Sequence, residues 1–161
     1  MSLGAGAGDA RRAADAERAR IAERDSLFAP WAGASVGEPV LVSTVGGEPS
    51  YWTVPIESDG RVIGFVRVSG TAQVVAAGAF YRDPQRLEGC PSAVTGITAQ
   101  EAVRQAATAV GVSEDEVDPP TFVHDGPPGR EAWLVRVRGG GQTKDLLVTA
   151  AGAVDRPAGS G

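Results

Sequence analysis

The sequence is poor in the residues that build reactive or cross-linked sites. Its 161 residues include one cysteine, Cys90, and one histidine, His124. A single cysteine cannot form an internal disulfide, and a zinc site built on one Cys and one His would need two carboxylates besides. We therefore expect no internal disulfide, no metal site and no cofactor.

Positive charge and long apolar runs are also scarce. The chain has 15 Lys and Arg against 20 Asp and Glu, a net charge of −5. Nucleic-acid binding depends on clustered positive charge, so we expect no nucleic-acid partner. No run of 18 apolar residues occurs, so we expect a soluble chain without a membrane span. The opening MSLGAGAGDARR has no apolar stretch typical of a secretory signal, and the compartment stays open.

Turn-forming residues are abundant. The chain has 22 Gly and 11 Pro, whereas aromatic residues make up only 6%. This composition favours short strands over a helical bundle. The length suits either one compact core or two small fused units. We predict an α+β fold.

Two segments carry helix signals. Residues 9–25 (DARRAADAERARIAERD) are strong helix formers without Gly or Pro, and they follow a predicted disordered tail at residues 1–8. The second helix begins at Thr98, which forms a capping box with Glu101, and Ile97 is placed for a hydrophobic staple. Gly111 ends this helix.

Short apolar runs separated by Gly and Pro predict antiparallel strands. They cover residues 40–45, 51–56, 61–68, 121–125, 131–138 and 143–150. Asp59-Gly60 is a strong signal for a type I′ hairpin turn. Pro55 has no backbone N–H to donate to a neighbouring strand, so we expect its strand to lie at a sheet edge or to contain a bulge at this position.

An internal repeat appears when the chain is shifted by 81 residues. Pro39, Val42, Trp52, Val54 and Gly60 then fall on Pro120, Val123, Trp133, Val135 and Gly141. The same shift lays residues 17–29 over the helix at Thr98. We therefore predict two repeated helix-strand-strand-strand units, each an antiparallel sheet with one covering helix. They span residues 9–80 and 97–155, with a linker at 81–96 and a tail at 156–161.

The second unit resembles the PepSY domain in its order of features. GITAQEAVRQAATAVG matches the capped N-terminal helix, EAWLVRVR the central strand with an aromatic and alternating Val, and AAGAV the small-residue ending. PSYWTVPIESDGRVIGFVRVSG is similar to a more divergent copy. The resemblance implies a cystatin-like, non-enzymatic domain of the kind found in peptidase propeptides and envelope proteins. It also suggests an extracytoplasmic location.

Residues that could carry chemistry are few. Cys90 and His124 are the only pair suited to nucleophilic catalysis, and no known hydrolase signature surrounds them. The acidic residues Glu114, Asp115, Glu116 and Asp118 do not have calcium-loop spacing and are interpreted as a solvated loop. Gly139 to Gly141 are interpreted as turn residues, because no helix follows them.

The strand alternation predicts an open outer face on each sheet. Trp52 and Trp133, at equivalent positions, are predicted core anchors facing the helices. The opposite face mixes aromatic, aliphatic and Arg residues, which suits a protein interface. The partner-binding candidates are Tyr51, Ile63, Phe65, Arg130, Leu134, Arg136 and Arg138. The alternatives are that the two units bury these faces against each other, that a homodimer buries them, or that a small ligand binds there.

We therefore predict a non-enzymatic protein-binding module that inhibits or chaperones a peptidase or an envelope protein through an open sheet face. One alternative is a structural or oligomerisation accessory protein that uses the N-terminal helix. The other is a cysteine-dependent enzyme that uses Cys90.

Overall fold

The computed structural model describes residues 4–126, 130–139 and 141–155, and these residues form an α+β protein. Its helices are α1 (Ala7–Arg24), α2 (Ala99–Val110) and the two 3-10 helices η1 (Ser26–Gly33) and η2 (Glu114–Glu116). Its strands are β1 (Ser35–Val36), β2 (Val40–Thr44), β3 (Pro49–Ser58), β4 (Arg61–Ser69), β5 (Val74–Ala79), β6 (Thr121–His124), β7 (Glu131–Gly139), β8 (Gln142–Thr149) and β9 (Gly152–Asp155). Strand pairing is mostly antiparallel.

The chain divides into two compact units whose boundaries do not follow the sequence order. Unit 1 comprises Met1–Leu41 and Pro49–Val94, and unit 2 comprises Val42–Glu48 and Thr95–Gly161. Most of β2 therefore belongs to unit 2, although the repeat places it with the first helix. In unit 2, β2 runs parallel to β6, with Ser43 opposite Val123. The predicted tail at 156–161 and residues 1–3 of the N-terminal tail lie outside the described residues.

Unit 1 places α1 against one face of an antiparallel sheet. β3 pairs with β4, β4 pairs with β5, and the short β1 pairs with β3. Because Ala10 and Ala14 have almost no side chain, α1 can pack closely on the core, where both are fully buried. Val54, Ile56 and Trp52 lie on the helix side of β3, as the alternation predicts.

A bulge in unit 1 changes the face of one predicted residue. The pairing of β3 with β4 shifts between Ile56 and Glu57, next to Pro55, and Ile63 has no partner in the ladder. The extra residue turns Ile63 into the core, where it is fully buried. Ile63 is therefore not on the outer face predicted from alternation.

Trp31 packs η1 against the sheet of unit 1. It is fully buried and stacks edge to face with Phe28 at 4.7 Å between ring centroids. A Cβ atom at Gly64 would lie 2.4 Å from the Trp31 ring and 2.6 Å from the Gly78 carbonyl oxygen. Glycine at position 64 is therefore what lets the indole lie directly on β4.

Segments that the sequence assigns to a tail and a linker contribute to the packing of unit 1. Helix α1 begins at Ala7, and Ala5 is buried, with its N–H donating to the Gly70 carbonyl at 2.9 Å. Tyr81 and Cys90, from the predicted linker, lie in the core of unit 1. These contacts join residues that are far apart in the sequence, so no local sequence pattern predicts them.

Unit 2 is built around α2 as predicted. Thr98 and Glu101 form the reciprocal capping box, and Gly111 ends the helix with a φ of 83°. Its apolar side packs on β7 and β8, where Val135, Val137 and Trp133 share a core with Ala102 and Ala106. The sheet of this unit has the order β2-β6-β7-β8-β9.

The other predictions of secondary structure are confirmed in part. Asp59 and Gly60 both have positive φ, as a type I′ turn requires. Strands β1, β5 and β9 are not predicted. The shift of 81 residues aligns the tryptophans but not the helices, because the N-caps Gly6 and Thr98 lie 92 positions apart. Helix α1 is six residues longer than α2, and the connection from α1 to β3 is also longer than that from α2 to β7.

Candidate protein-binding surfaces

The side of the unit 1 sheet opposite α1 carries four residues that we call the unit 1 outer cluster: Tyr51, Phe65, Arg67 and Phe80. The Arg67 guanidinium carbon lies 5.2 Å from the centroid of the Tyr51 ring and 5.4 Å from that of Phe65. The Phe65 and Phe80 centroids are 5.7 Å apart. These distances place one cation between two aromatic faces, within the range of cation–π attraction.

Backbone features hold the unit 1 outer cluster in place. Phe65 lies opposite Gly78 of β5, and a Cβ atom at position 78 would be 2.7 Å from the Phe65 ring. The ring therefore lies over the glycine. Arg67 lies opposite Thr53 of β3, and Tyr51 lies opposite Ser69, so all these positions share one face.

Exposure varies across the unit 1 outer cluster. Tyr51 is only 5% exposed, Phe65 and Arg67 are half-buried, and Phe80 is 38% exposed. Phe80 is therefore the most accessible residue of the cluster, whereas the Arg67 Nε atom is fully buried.

The side of the unit 2 sheet opposite α2 carries a separate apolar row. Leu134 of β7 lies opposite Leu147 of β8, and Leu147 lies opposite Val154 of β9. Val154 is 67% exposed and the two leucines are half-buried. We call these three residues the unit 2 apolar row.

Two arginines of β7, Arg136 and Arg138, are engaged in ion pairs. Arg136 binds its cross-strand neighbour Asp145 with an N–O distance of 3.0 Å, and this pairing raises the pKa of Arg136. Arg138 binds Asp118 at 2.7 Å. Arg130 is exposed, and its carbonyl oxygen accepts a hydrogen bond from the Asp125 N–H. Exposed pairs of this kind contribute little to stability.

The predicted site residues thus fall into two groups. Tyr51 and Phe65 come together in unit 1. Strand β7 of unit 2 carries Leu134, Arg136 and Arg138. Ile63, by contrast, is in the core of unit 1. Sequence reasoning did not single out Arg67, Phe80, Leu147 and Val154. Arg67 and Phe65 stand two positions apart on one predicted strand, so alternation alone could have added Arg67. Phe80 and Val154 depend on β5 and β9, which the sequence did not predict.

The two tryptophans have matching hydrogen bonds in their own units. The Trp52 indole N–H donates to the Ala5 carbonyl oxygen at 3.1 Å, and the Trp133 indole N–H donates to the Ile97 carbonyl oxygen at 2.9 Å. Ala5 and Ile97 are each the residue immediately before the N-cap of a helix. Each tryptophan therefore fixes the start of the helix that covers its strand.

Cys90 and His124 belong to different units. Cys90 is 4% exposed, and burial raises the pKa of its thiol, although nearby Arg61 acts in the opposite direction. A raised pKa keeps the thiol protonated at neutral pH, so the side chain is a poor nucleophile. His124 Nδ1 lies 2.8 Å from the Gly126 carbonyl oxygen in a turn.

The described residues contain no group of three His, Cys, Asp or Glu side chains placed to hold a metal ion. Across the same ranges, neither α1 nor α2 combines the length and the hydropathy needed to cross a bilayer. Comparisons with protein families, with curated proteins and with solved structures find no match to this chain.

Proposed function

We propose that this chain is a non-enzymatic module that binds another protein through the unit 1 outer cluster. The observation that carries the proposal is the Arg67 side chain held between the rings of Tyr51 and Phe65. Aromatic and Arg side chains dominate the binding energy of protein interfaces, and side chains already held in place lose little entropy on binding. Phe80 extends the same surface to accessible positions.

The partner that we propose is a peptidase or an envelope protein, which the module inhibits or chaperones outside the cytoplasm. This choice rests on the resemblance of residues 97–155 to the PepSY domain. The capping box at Thr98 and the alternation of Trp133, Val135 and Val137 support that resemblance.

We further propose that the two units are copies of one module. The matching hydrogen bonds of Trp52 and Trp133 to the carbonyl before each helix support this duplication. Val54 and Val135, two positions after the tryptophans, are both fully buried beside a helix. The unequal helix lengths fit a divergent first copy.

Two other functions have less support. An accessory role for α1 would need an apolar side available to another chain, but Ala10 and Ala14 are buried within unit 1. A cysteine-dependent reaction would need an accessible thiolate, and Cys90 is buried with a raised pKa.

Photo-crosslinking from the proposed surface tests the binding function. A photoreactive phenylalanine analogue replaces Phe80, and in a matched control it replaces Glu23, an exposed residue of α1. We expect extracts of the source cells to give a discrete crosslinked peptidase or envelope protein from position 80 and none from position 23. Adding Arg67→Ala to the position 80 variant should remove the product, because it removes the central cation of the cluster.

Several results would count against the proposal. They are the same products from positions 80 and 23, no product from position 80, or a product that persists in the Arg67→Ala variant. Circular dichroism of the Arg67→Ala variant separates loss of binding from loss of folding. When the captured protein is a peptidase, a fall in its activity on adding the purified chain distinguishes an inhibitor from a chaperone.

A further inference from the structure

Unit 1 has an open groove between α1 and the segment that leads into β1, which we call the α1 groove. Its volume is about 560 Å³, within the range of clefts that hold small molecules. Three arginines and a single carboxylate line it, so the lining has an excess of positive charge although the whole chain carries a net charge of −5. The residues of the α1 wall are Gly8, Arg11, Arg12, Asp15 and Arg18, and those of the opposite wall are Ala34, Ser35 and Val36.

Two of these arginines are held by the backbone of the opposite side. Arg11 donates to the Val36 carbonyl oxygen at 3.0 Å, and Arg18 donates to the Trp31 carbonyl oxygen at 2.8 Å. Both side chains therefore bridge the groove from α1 and have fixed positions. A cation that is already fixed loses little side-chain entropy when it binds a ligand, which favours binding.

The third arginine, Arg12, lies over Gly8. A Cβ atom at position 8 would be 3.5 Å from the Arg12 Nη1 atom, which is an ordinary contact distance. Glycine is a poor helix former, but here its missing side chain leaves the floor of the groove open. The Arg12 side chain binds Asp9 and is 75% exposed, so its guanidinium group is accessible to a ligand.

The carboxylates near the groove hold the arginines only weakly. Glu38, bound to Arg11 at 3.0 Å, is 84% exposed, and Asp15, bound to Arg18 at 2.8 Å, is 55% exposed. The Asp9 carboxylate, bound to the third arginine, is 45% exposed. Exposed ion pairs contribute little free energy, so a ligand oxyanion can share or replace these contacts.

The opposite wall adds an uncharged hydrogen-bond donor. The Gly37 N–H donates to the Pro55 carbonyl oxygen at 2.9 Å, so the backbone groups of Gly37 point to β3. Because these groups alternate along a strand, those of Val36 point away from β3, in agreement with the contact between its carbonyl oxygen and Arg11. The Val36 N–H therefore faces the α1 side. Guanidinium groups and backbone N–H groups are the donors that bind carboxylate and phosphate oxygens.

We propose that the α1 groove binds a small organic anion whose carboxylate or phosphate groups are held by Arg11, Arg12 and Arg18. Three cations suit a ligand with more than one negative charge. The groove lies on the α1 side of unit 1, whereas the unit 1 outer cluster lies on the opposite side of the sheet. This inference therefore does not depend on the proposed function.

Isothermal titration calorimetry at low ionic strength tests the groove with two probes, citrate for carboxylates and inorganic pyrophosphate for phosphates. We expect the wild type to bind at least one probe at a single site, and the probe that binds more tightly identifies the acidic group of the ligand. Arg12→Gln should weaken binding about threefold or more, because it removes one cation of the lining. Arg20→Gln is the matched control. Arg20 also lies on α1 and binds a carboxylate three residues earlier, but it does not line the groove.

Two further variants separate the site from general effects of charge and from folding. Gly8→Leu keeps the charge but fills the floor of the groove, so it should remove binding. Asp15→Asn removes the one carboxylate of the lining and should tighten binding about threefold. Loss of folding cannot produce tighter binding, and circular dichroism checks that Gly8→Leu is folded.

Several outcomes would overturn the proposal. They are a wild type that binds neither probe, equal weakening by Arg12→Gln and Arg20→Gln, undiminished binding by folded Gly8→Leu, or no gain in affinity in Asp15→Asn. Crosslinking of a partner through position 80 should be the same in Arg12→Gln as in the wild type. Failure of the groove as an anion site therefore leaves the proposed binding function intact.

Discussion

Gly64 determines how closely the core of unit 1 can pack. An added methyl group would overlap both the Trp31 ring and the Gly78 carbonyl oxygen, and neither can move without disturbing the core. We expect Gly64→Ala to lower the free energy of unfolding by at least about 2 kcal/mol, as overpacked cores do. Chemical denaturation measures the effect. Gly33→Ala is the control, because a Cβ atom there meets nothing within 4 Å and the change should cost far less.

Ionisation of Tyr81 should make the stability of unit 1 depend on pH in the alkaline range. Its hydroxyl donates to the Leu27 carbonyl oxygen at 2.7 Å, and burial, with a smaller contribution from nearby Cys90, raises the pKa of Tyr81 to about 12. An unfolded tyrosine titrates near about 10. The stability that Tyr81 contributes is therefore complete below about pH 10 and is lost as the pH rises through 12.

The expected result is a pH-dependent difference between the wild type and Tyr81→Phe. Below about pH 10 the variant should be less stable by about 1 kcal/mol, because it loses one hydrogen bond. The difference should shrink between about pH 10 and 12, since only the wild type has a phenol to ionise. Urea denaturation at several pH values measures it. A constant difference over this range would contradict the assigned role of Tyr81.

The paired tryptophans offer a test of duplication at single residues. Trp52→Phe and Trp133→Phe each remove one indole hydrogen bond to the carbonyl before a helix. If the two units are copies, each change should cost about 1 kcal/mol and should increase hydrogen exchange at the first turn of its own helix. Unequal effects, with faster exchange at only one helix start, would argue that the residues are not equivalent.

Helix α2 depends on chemistry confined to its own ends. The Thr98 hydroxyl accepts a hydrogen bond from the Glu101 N–H at 3.1 Å, and the Glu101 carboxylate accepts one from the Thr98 N–H at 3.3 Å. We expect Thr98→Ala to destabilise unit 2 by about 1 kcal/mol, the usual contribution of a threonine cap. Thr108→Ala, an exposed change within the same helix, should be neutral or slightly stabilising because Ala is the better helix former. Thermal unfolding of both variants measures these changes in stability, and an equal loss of stability in the two variants would contradict a capping role for Thr98.

The contrast between α2 and β5 shows which elements a sequence can predict. The limits of α2 follow from Thr98, Glu101 and Gly111, which act on their own neighbours. Strand β5 reads VVAAGA, which lacks alternation and has small residues of low strand propensity. Residues 74–79 form a strand because they pair with β4, and the local sequence does not predict this pairing.

The candidate surface could be predicted only where the ladder is regular. Alternation correctly separates Trp52, Val54 and Val135 from Tyr51, Phe65 and Leu134. A single bulge at Ile56 and Glu57 is enough to move Ile63 to the core. Phe80 follows an unpredicted strand, so its place in the unit 1 outer cluster could not be deduced.

At the scale of the whole molecule, unit 2 needs a segment from early in the sequence. Val42–Glu48 belongs to it, and β2 pairs with β6 there. We expect a fragment of residues 95–161 to retain α2 on β7 and β8 but to leave the edge of β6 unpaired. The Asp125 N–H donates to the Arg130 carbonyl oxygen of the β7 side, so the backbone groups of Val123 also point to β7 and those of His124 point to β2. Amide exchange at His124 should then be faster than in the full chain, while exchange at Ala106 in α2 changes little. Equal protection of the His124 amide in both would contradict the assignment of β2 to unit 2.

The parallel pairing of β2 with β6 also bears on how the chain folds during synthesis. Ser43 leaves the ribosome 80 residues before Val123, its partner in the ladder. At about 5–20 residues per second, β2 waits on the order of ten seconds for β6. Throughout that interval the nascent chain must keep an apolar strand from premature pairing, and a chaperone that acts on this protein would meet it there.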